Sequence, residues 1–316
     1  MKPKRLKEEH IDMQFLALLI AIIAFLVFAL FIGDIVWIKD FQYFIALISG
    51  VVSLFIGTLA LLRYYTKKTN INFLFLGGGF LGVGLIEILQ TMVEVGDFQN
   101  LFSVSDGGSY PLTSALGKAF LASLFLISWF VIRKKKGRGR KKELELMGIV
   151  CLTFILFVAT FIILLLRGVE VDSFIVVLIG LFSLLLYILS LLGYLFNKGW
   201  LYDDFNYWII FTLSFLILSQ IFYLPFLNLE YIHMVNLSTW AHFIAYIGIL
   251  VGFLNSVYMM YQKEKEIQQE LEEKNILLDK TKAKVEEAYL TLREEKWELV
   301  NKKGGLGSIL KDISKK

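Results

Sequence analysis

The stretch FIVVLIGLFSLLLYILSLLGYLF, residues 174–196, decides the fold class of this chain. It contains neither a charged residue nor a proline. Because an α-helix needs about 20 apolar residues to cross the hydrocarbon core of a bilayer, a run of this length is typical of a transmembrane helix. We therefore predict that residues 174–196 form one membrane span.

Seven further apolar runs of similar length accompany this stretch, separated by short polar segments. The eight runs occupy residues 11–32, 41–62, 71–93, 113–132, 146–166, 174–196, 207–227 and 239–261. They are continuously apolar rather than alternating, which favours helices over the strands of a membrane barrel. The sequence thus predicts an all-α fold, a polytopic bundle of eight transmembrane helices.

The composition of the whole chain agrees with a membrane protein. Hydrophobic residues make up 57% of the 316 residues and charged residues only 19%. Soluble domains are about half apolar and a quarter charged, so an ordinary soluble enzyme and a disordered chain are both disfavoured. Cys151 is the single cysteine, which excludes an intramolecular disulfide and a cysteine metal site.

Positive charges are distributed unequally between the two sides of the predicted bundle. Sixteen Lys and Arg residues fall in the N-terminal segment and the even-numbered loops, against only Lys39 and Arg167 in the opposite loops. By the positive-inside rule, both termini face the cytoplasm and the protein is a multi-pass protein of the cell membrane. The dense basic run at 133–142 is confined between two spans, so we expect it to contact anionic lipid rather than nucleic acid.

The chain divides into four parts by composition. These are a basic cytoplasmic N-terminus at 1–10, the transmembrane domain at 11–261, a charged segment at 262–301 and a flexible tail at 302–316. No cleavable signal peptide is expected at the N-terminus.

The charged segment carries an apolar residue at every seventh position: Leu271, Leu278, Val285, Leu292 and Leu299. This spacing predicts a cytoplasmic coiled coil, most simply a parallel homodimer, with a single solvated helix as the alternative. The glycine-rich sequence that follows Lys302 is predicted to end the helix.

Residues 77–82, GGGFLG, match the GxGxxG pattern of dinucleotide-binding loops. That pattern requires a preceding strand and a following helix, whereas this copy lies inside a predicted span. Gly78, Gly82 and Gly84 instead favour close packing of helices, because small residues let helix backbones approach in a membrane. Since the sequence has no kinase, cyclase or hydrolase motif, we predict neither enzyme activity nor a bound cofactor or metal ion.

Ionisable and polar side chains are costly inside a membrane and therefore point to function. Five of them share one depth in the outer half of the predicted bundle: Glu87, Gln90, Lys118, Gln220 and His242. If their helices face each other, these side chains form a ligand-sensing pocket open to the outside.

Several arrangements of this polar cluster are open at this point. Glu87 can pair with Lys118, and His242 can act as a switch because histidine changes its charge near neutral pH. Alternatively, Lys118 extends to the membrane surface, His242 lies in the interface, and a neutral Glu87 bonds to a neighbouring helix.

Residues 80–91, FLGVGLIEILQT, and the triplet Trp240-Ala241-His242 carry a resemblance to a known family. The first is similar to the FLxxGxxDxxHT-like third span of membrane-associated sensor (MASE-type) domains, and the second to the start of their last span. Lys118 stands roughly where the family has a basic residue. Glu87 replaces an Asp and Gln90 a His of the family pattern, which argues against metal or haem binding.

The resemblance implies signal transduction, because such domains precede histidine kinase, PAS or diguanylate cyclase modules. We expect a histidine-kinase-like sensor region of a two-component system without a catalytic domain. In it, a signal passes from the pocket through the last span to the coiled coil, where a separate cytoplasmic protein reads it. The alternatives are a membrane anchor or scaffold that recruits a partner by its coiled coil, and a transporter.

Overall fold

The computed structural model describes residues 14, 16–28, 39–67, 72–94, 110–133, 148, 152, 155, 159, 173–196, 204–224 and 232–313. Within these residues the chain forms seven helices and no strand. They are α1 (Leu16–Phe28), α2 (Lys39–Lys67), α3 (Asn72–Glu94), α4 (Tyr110–Arg133), α5 (Ser173–Phe196), α6 (Asp204–Tyr223) and α7 (Ile232–Ile313). The all-helical fold class predicted from the apolar runs is confirmed.

Five of the described helices are long and apolar enough to cross a membrane, namely α2, α3, α5, α6 and α7. The apolar parts of α1 and α4, Leu16–Phe28 and Ser114–Phe130, are shorter. The predicted span at 146–166 lies outside the described residues, apart from four helical positions within it. The number of eight spans therefore stays a prediction, whereas the long apolar helices of a membrane protein are observed.

Helix α5 has one face that is buried against other helices and another face of exposed apolar side chains. Tyr187 and Ser190 are fully buried, whereas Phe174, Leu178 and Phe182 are each more than half exposed. A row of large exposed apolar side chains would be unfavourable in water but is the surface that lipid chains require. The face that carries Phe174 and Phe182 is therefore suited to contact lipid.

The chain forms two compact units, Met1–Val257 and Tyr258–Lys316. In the first unit, α3 packs against both α2 and α4, α4 also packs against α5, and α5 packs against α6. Its core contains many aromatic side chains: Phe80 contacts Phe125 and Tyr246 edge to face, with ring centroids 6.0 and 5.4 Å apart. This packing brings Tyr246 of α7 beside α3.

Helices α2 and α3 approach each other most closely at glycines. A Cβ atom added to Gly57 would lie 2.6 Å from Cγ of Leu81, and one added to Gly84 would lie 2.8 Å from the carbonyl oxygen of Gly50. The same interface contains Gly77, which faces the backbone of Gly57. The two helices can therefore approach only where side chains are absent.

The predicted packing glycines divide among different places in α3. Gly84 lies at the contact with α2, Gly82 is buried and Gly78 is partly buried. The two glycines of α3 that approach the backbone of α2 are Gly77 and Gly84. They are seven residues apart, whereas the glycines of a GxxxG pair are four residues apart.

The second unit consists of the C-terminal part of α7. Every side chain from 263 to 302 is exposed, including the seven-residue apolar column of the predicted coiled coil. The helix continues to Ile313, beyond the end predicted at Lys302. Each glycine costs a helix only about 1 kcal/mol relative to alanine, and no proline follows to stop it. The coiled-coil pairing itself stays a prediction.

Candidate functional site

A small polar cavity lies among α2, α3, α4, α6 and α7 in the first unit. Its volume of about 50 Å³ corresponds to a few water molecules or one small polar ligand. Four of the five residues predicted to share a pocket line it: Glu87, Gln90, Lys118 and His242. The lining also contains Ser49 of α2 and Ser238 of α7, which the sequence did not single out.

Gln220, the fifth predicted residue, does not line this cavity. It is fully buried in α6, and its Nε2 donates a hydrogen bond of 3.2 Å to the carbonyl oxygen of Gly180 in α5. Its Oε1 has no hydrogen-bond partner among the residues that the structure describes. Gln220 therefore connects α6 to α5 beside the cavity.

Glu87, near the C-terminal end of α3, is the centre of the polar contacts. Its Oε1 lies 2.9 Å from Nε2 of His242 and accepts a hydrogen bond of 2.9 Å from the hydroxyl of Tyr246. An ionised carboxylate can only accept, so with Glu87 charged the Nε2 of His242 carries a proton. One carboxylate oxygen thus binds two side chains of α7.

Glu87 bonds to His242, and within the described residues it forms no ion pair with Lys118, the other partner considered from the sequence. His242 lies near the beginning of α7, and its side chain is buried among the helices, since the residue is 7% exposed. The carboxylate therefore connects α3 to α7, and not α3 to α4.

Tyr246 is a site residue that the sequence reasoning missed. It stands four residues after His242 and so lies on the same face of α7. The two rings are adjacent, with centroids 4.4 Å apart. An aromatic residue inside an apolar run is usually taken for core, but its spacing from His242 was a usable signal.

Lys118 of α4 also lines the cavity. Its Nζ lies 3.9 Å from the ring centroid of Tyr223 in α6 and 3.4 Å from Oγ of Ser238 in α7. An ammonium over an aromatic face is stabilised by the ring quadrupole. The hydroxyl of Tyr187 in α5 donates to the carbonyl oxygen of Lys118 at 3.0 Å, which fixes α4 locally.

Hydrogen bonds between α6 and α7 complete the surroundings of the site. The hydroxyls of Ser219 and Ser238 each donate to the other residue's carbonyl oxygen, at 2.9 and 2.8 Å. Thr212 makes a further bond of 3.3 Å to the carbonyl oxygen of Ala245. The start of α7 is therefore bonded to α3, α4 and α6 at once.

Three buried polar atoms at the cavity have no hydrogen-bond partner among the described residues: Oε2 of Glu87, Nδ1 of His242 and Oγ of Ser49. A buried polar atom without a partner costs about 1–3 kcal/mol, so binding a polar molecule there is favourable. No group of three or more His, Cys, Asp or Glu in the described ranges could hold a metal ion. The side chains present suit a small neutral or charged molecule that both donates and accepts hydrogen bonds.

The fold and the site define a class: an all-helical membrane protein with a buried carboxylate–histidine–tyrosine site at one end of its bundle. No protein-family model, no curated protein and no solved structure matches this chain.

Proposed function

We propose that this protein is an integral membrane sensor or receptor module of signal transduction, a multi-pass protein of the cell membrane with both termini in the cytoplasm. A signal received at the cavity around Glu87 passes through α7 to the tail helix, where a separate cytoplasmic protein reads it. The unequal distribution of Lys and Arg supports this orientation. The resemblance of residues 80–91 to MASE-type domains supports the sensing role.

One observation carries the proposal: the helix that borders the cavity is also the helix that forms the tail. α7 contributes Ser238, His242 and Tyr246 to the polar contacts and continues as one helix to Ile313. A change in these contacts acts on the same helix from which the charged tail is built.

Glu87 is the residue at which a signal would act. A ligand that donates hydrogen bonds to its carboxylate, or a change in its charge, competes directly with His242 and Tyr246. When those bonds are lost, α7 is no longer held against α3 and shifts to a second position relative to α3. A ligand shifts such an equilibrium only if it binds the two positions with different affinity, and contact with Glu87 provides that difference.

A parallel dimer of the tail is the proposed output state. The apolar column of Leu271, Leu278, Val285, Leu292 and Leu299 is between 54% and 67% exposed in the single chain and is buried by pairing with a second copy. The companion heptad column contains Lys274, Thr281, Ala288 and Glu295. Such a mixed column gives a dimer of modest stability, which suits a helix that changes its register.

A membrane anchor that recruits a partner without sensing is the second candidate, favoured by the exposed apolar column alone. The anchor and the sensor differ in one respect. The tail of a sensor depends on the state of Glu87, whereas the tail of an anchor does not.

Disulfide crosslinking in native membranes tests this difference. Cys151 is the single cysteine, so a Cys151→Ala background allows Leu278→Cys to report tail pairing alone. We expect the wild-type site to give a small fraction of crosslinked dimer, and Glu87→Gln to raise that fraction about fivefold. That factor corresponds to about 1 kcal/mol, which two interhelical hydrogen bonds in a membrane can supply.

The matched control is Leu89→Ala, on the exposed face of α3 one half-turn from Glu87. It should leave the crosslinked fraction unchanged. Equal crosslinking in the wild type and Glu87→Gln would contradict the sensor and support the anchor. Absence of crosslinking in every variant would contradict the parallel dimer.

A further inference from the structure

The tail helix carries a second apolar column besides the one assigned to dimerisation. Ile276, Ala283, Leu290 and Trp297 also recur at every seventh position, and we name this set the Trp297 column. All four side chains are exposed, with Trp297 exposed by 66%. The column spans about 30 Å of helix, or six turns.

The Trp297 column lies on a different face from the dimer column. Leu271 and Ile276 are five residues apart, and five residues turn an α-helix by about 140° from its starting direction. A parallel dimer that buries Leu271 and Leu278 therefore leaves Ile276 and Trp297 uncovered. Apolar rows of this length are rarely left in water without a partner.

The residues bordering the Trp297 column are mainly acidic. At three and four residues from its members stand six carboxylates and two basic side chains, all exposed: Glu272, Glu273, Asp279, Glu286, Glu287, Glu294, Lys280 and Arg293. By the same spacing, the dimer column is bordered by five basic side chains and one carboxylate: Lys274, Lys282, Lys296, Lys302, Lys303 and Glu295. The two faces of one helix thus differ in the sign of their charge.

From this charge pattern, we infer that the Trp297 column docks an amphipathic helix of a cytoplasmic partner whose apolar stripe is bordered by Lys and Arg. Tryptophan is among the residues that contribute most at protein interfaces, and the acidic borders select basic flanks. An anionic membrane surface does not fit, because the same carboxylates are repelled by it. The inference rests on the proposed function, in which a separate protein reads the tail.

Fluorescence anisotropy with two synthetic peptides tests the inference on the full chain in nanodiscs of zwitterionic lipid. Both labelled peptides form a helix with the same leucine stripe, one bordered by lysines and the other by glutamates. We expect the lysine peptide to bind at least about tenfold more tightly, with an affinity that falls as salt is added. Equal binding of the two peptides would overturn the inference.

Variants locate the binding face. Leu290→Ser with Trp297→Ser should weaken binding of the lysine peptide about tenfold. The matched pair Leu277→Ser with Tyr289→Ser, whose side chains are each 65% exposed and belong to neither column, should leave it unchanged. Glu286→Lys with Glu287→Lys keeps the apolar column and should reduce the preference for the lysine peptide. Circular dichroism checks that each variant keeps the helicity of the wild type.

Other outcomes separate this inference from the proposed function. If Leu290→Ser with Trp297→Ser lowers the Leu278→Cys crosslink instead of peptide binding, a second copy covers the column and the inference is overturned. If the lysine peptide binds as expected while Glu87→Gln leaves the crosslink unchanged, the docking face stands and the sensing role fails.

Discussion

Replacing Glu87 by leucine is expected to lower the midpoint of thermal unfolding of the solubilised protein by about 5–10 °C. The substitution removes the acceptor shared by Nε2 of His242 and the hydroxyl of Tyr246, both of which are buried. Each donor left without an acceptor costs about 1–3 kcal/mol. Thermal unfolding followed by circular dichroism in one detergent measures the change.

Two further variants make this result specific. Glu87→Gln retains an acceptor oxygen, so its unfolding midpoint should fall by about half as much as that of Glu87→Leu. A double-mutant cycle of Glu87→Leu with Tyr246→Phe should show that the two effects on stability are not additive. Leu89→Ala, on the exposed face of α3, serves as the control. A Glu87→Leu midpoint equal to that of Leu89→Ala, or higher than wild type, would show that the carboxylate does not hold α7.

Gly84→Ala is expected to lower the same midpoint by about 6–10 °C, corresponding to roughly 3 kcal/mol of overpacking. The added Cβ would lie 2.8 Å from the carbonyl oxygen of Gly50 and 2.9 Å from the backbone nitrogen of Leu54. Backbone atoms cannot move aside as the end of a flexible side chain can, so α2 and α3 must separate. Gly84→Val should give still less folded protein.

Gly117→Ala provides the matched control in α4. Its added Cβ would meet only Cγ2 of Ile86, at 3.6 Å, which is an ordinary van der Waals distance. Alanine favours a helix by up to about 1 kcal/mol over glycine, so the midpoint should stay the same or rise. If Gly84→Ala and Gly117→Ala behaved alike, the close approach of α2 and α3 would not contribute to stability.

The fold class could be predicted because length and continuous apolarity are local properties of the sequence. The rotation of each helix about its axis could not, because a run such as 174–196 is apolar on all sides and gives no preferred face. This is why the contact of Gln220 with the carbonyl oxygen of Gly180 could not be predicted.

The same distinction applies to the site. Depth alone placed Glu87, Lys118 and His242 near one another, but choosing between Lys118 and His242 as the partner of Glu87 requires the helix arrangement. Tyr246 was missed because tyrosine is common in apolar cores. The prediction of the packing glycines was right for Gly84 but did not include Gly77. The pattern around Gly78 and Gly82 gives no information about the glycines of α2 that α3 meets, Gly50 and Gly57.

We propose that the Glu87 carboxylate holds α7 against α3 in one of two positions. Electron–electron distance measurements in nanodiscs test it directly, with spin labels at Leu89→Cys of α3 and Leu254→Cys of α7 in the Cys151→Ala background. Both labelled positions are about half exposed and lie in the first unit. Diluting labelled with unlabelled protein removes distances between copies.

We predict that Glu87→Gln shifts the α3–α7 distance distribution by about 2 Å or adds a second population, as helix shifts in switching proteins do. The control variant Met92→Ala lies outside the polar contacts, on the exposed face of α3. It should give the same distance distribution as the protein with Glu87 unchanged. Identical distributions for the wild-type site and Glu87→Gln would contradict the claim that this carboxylate sets the position of α7.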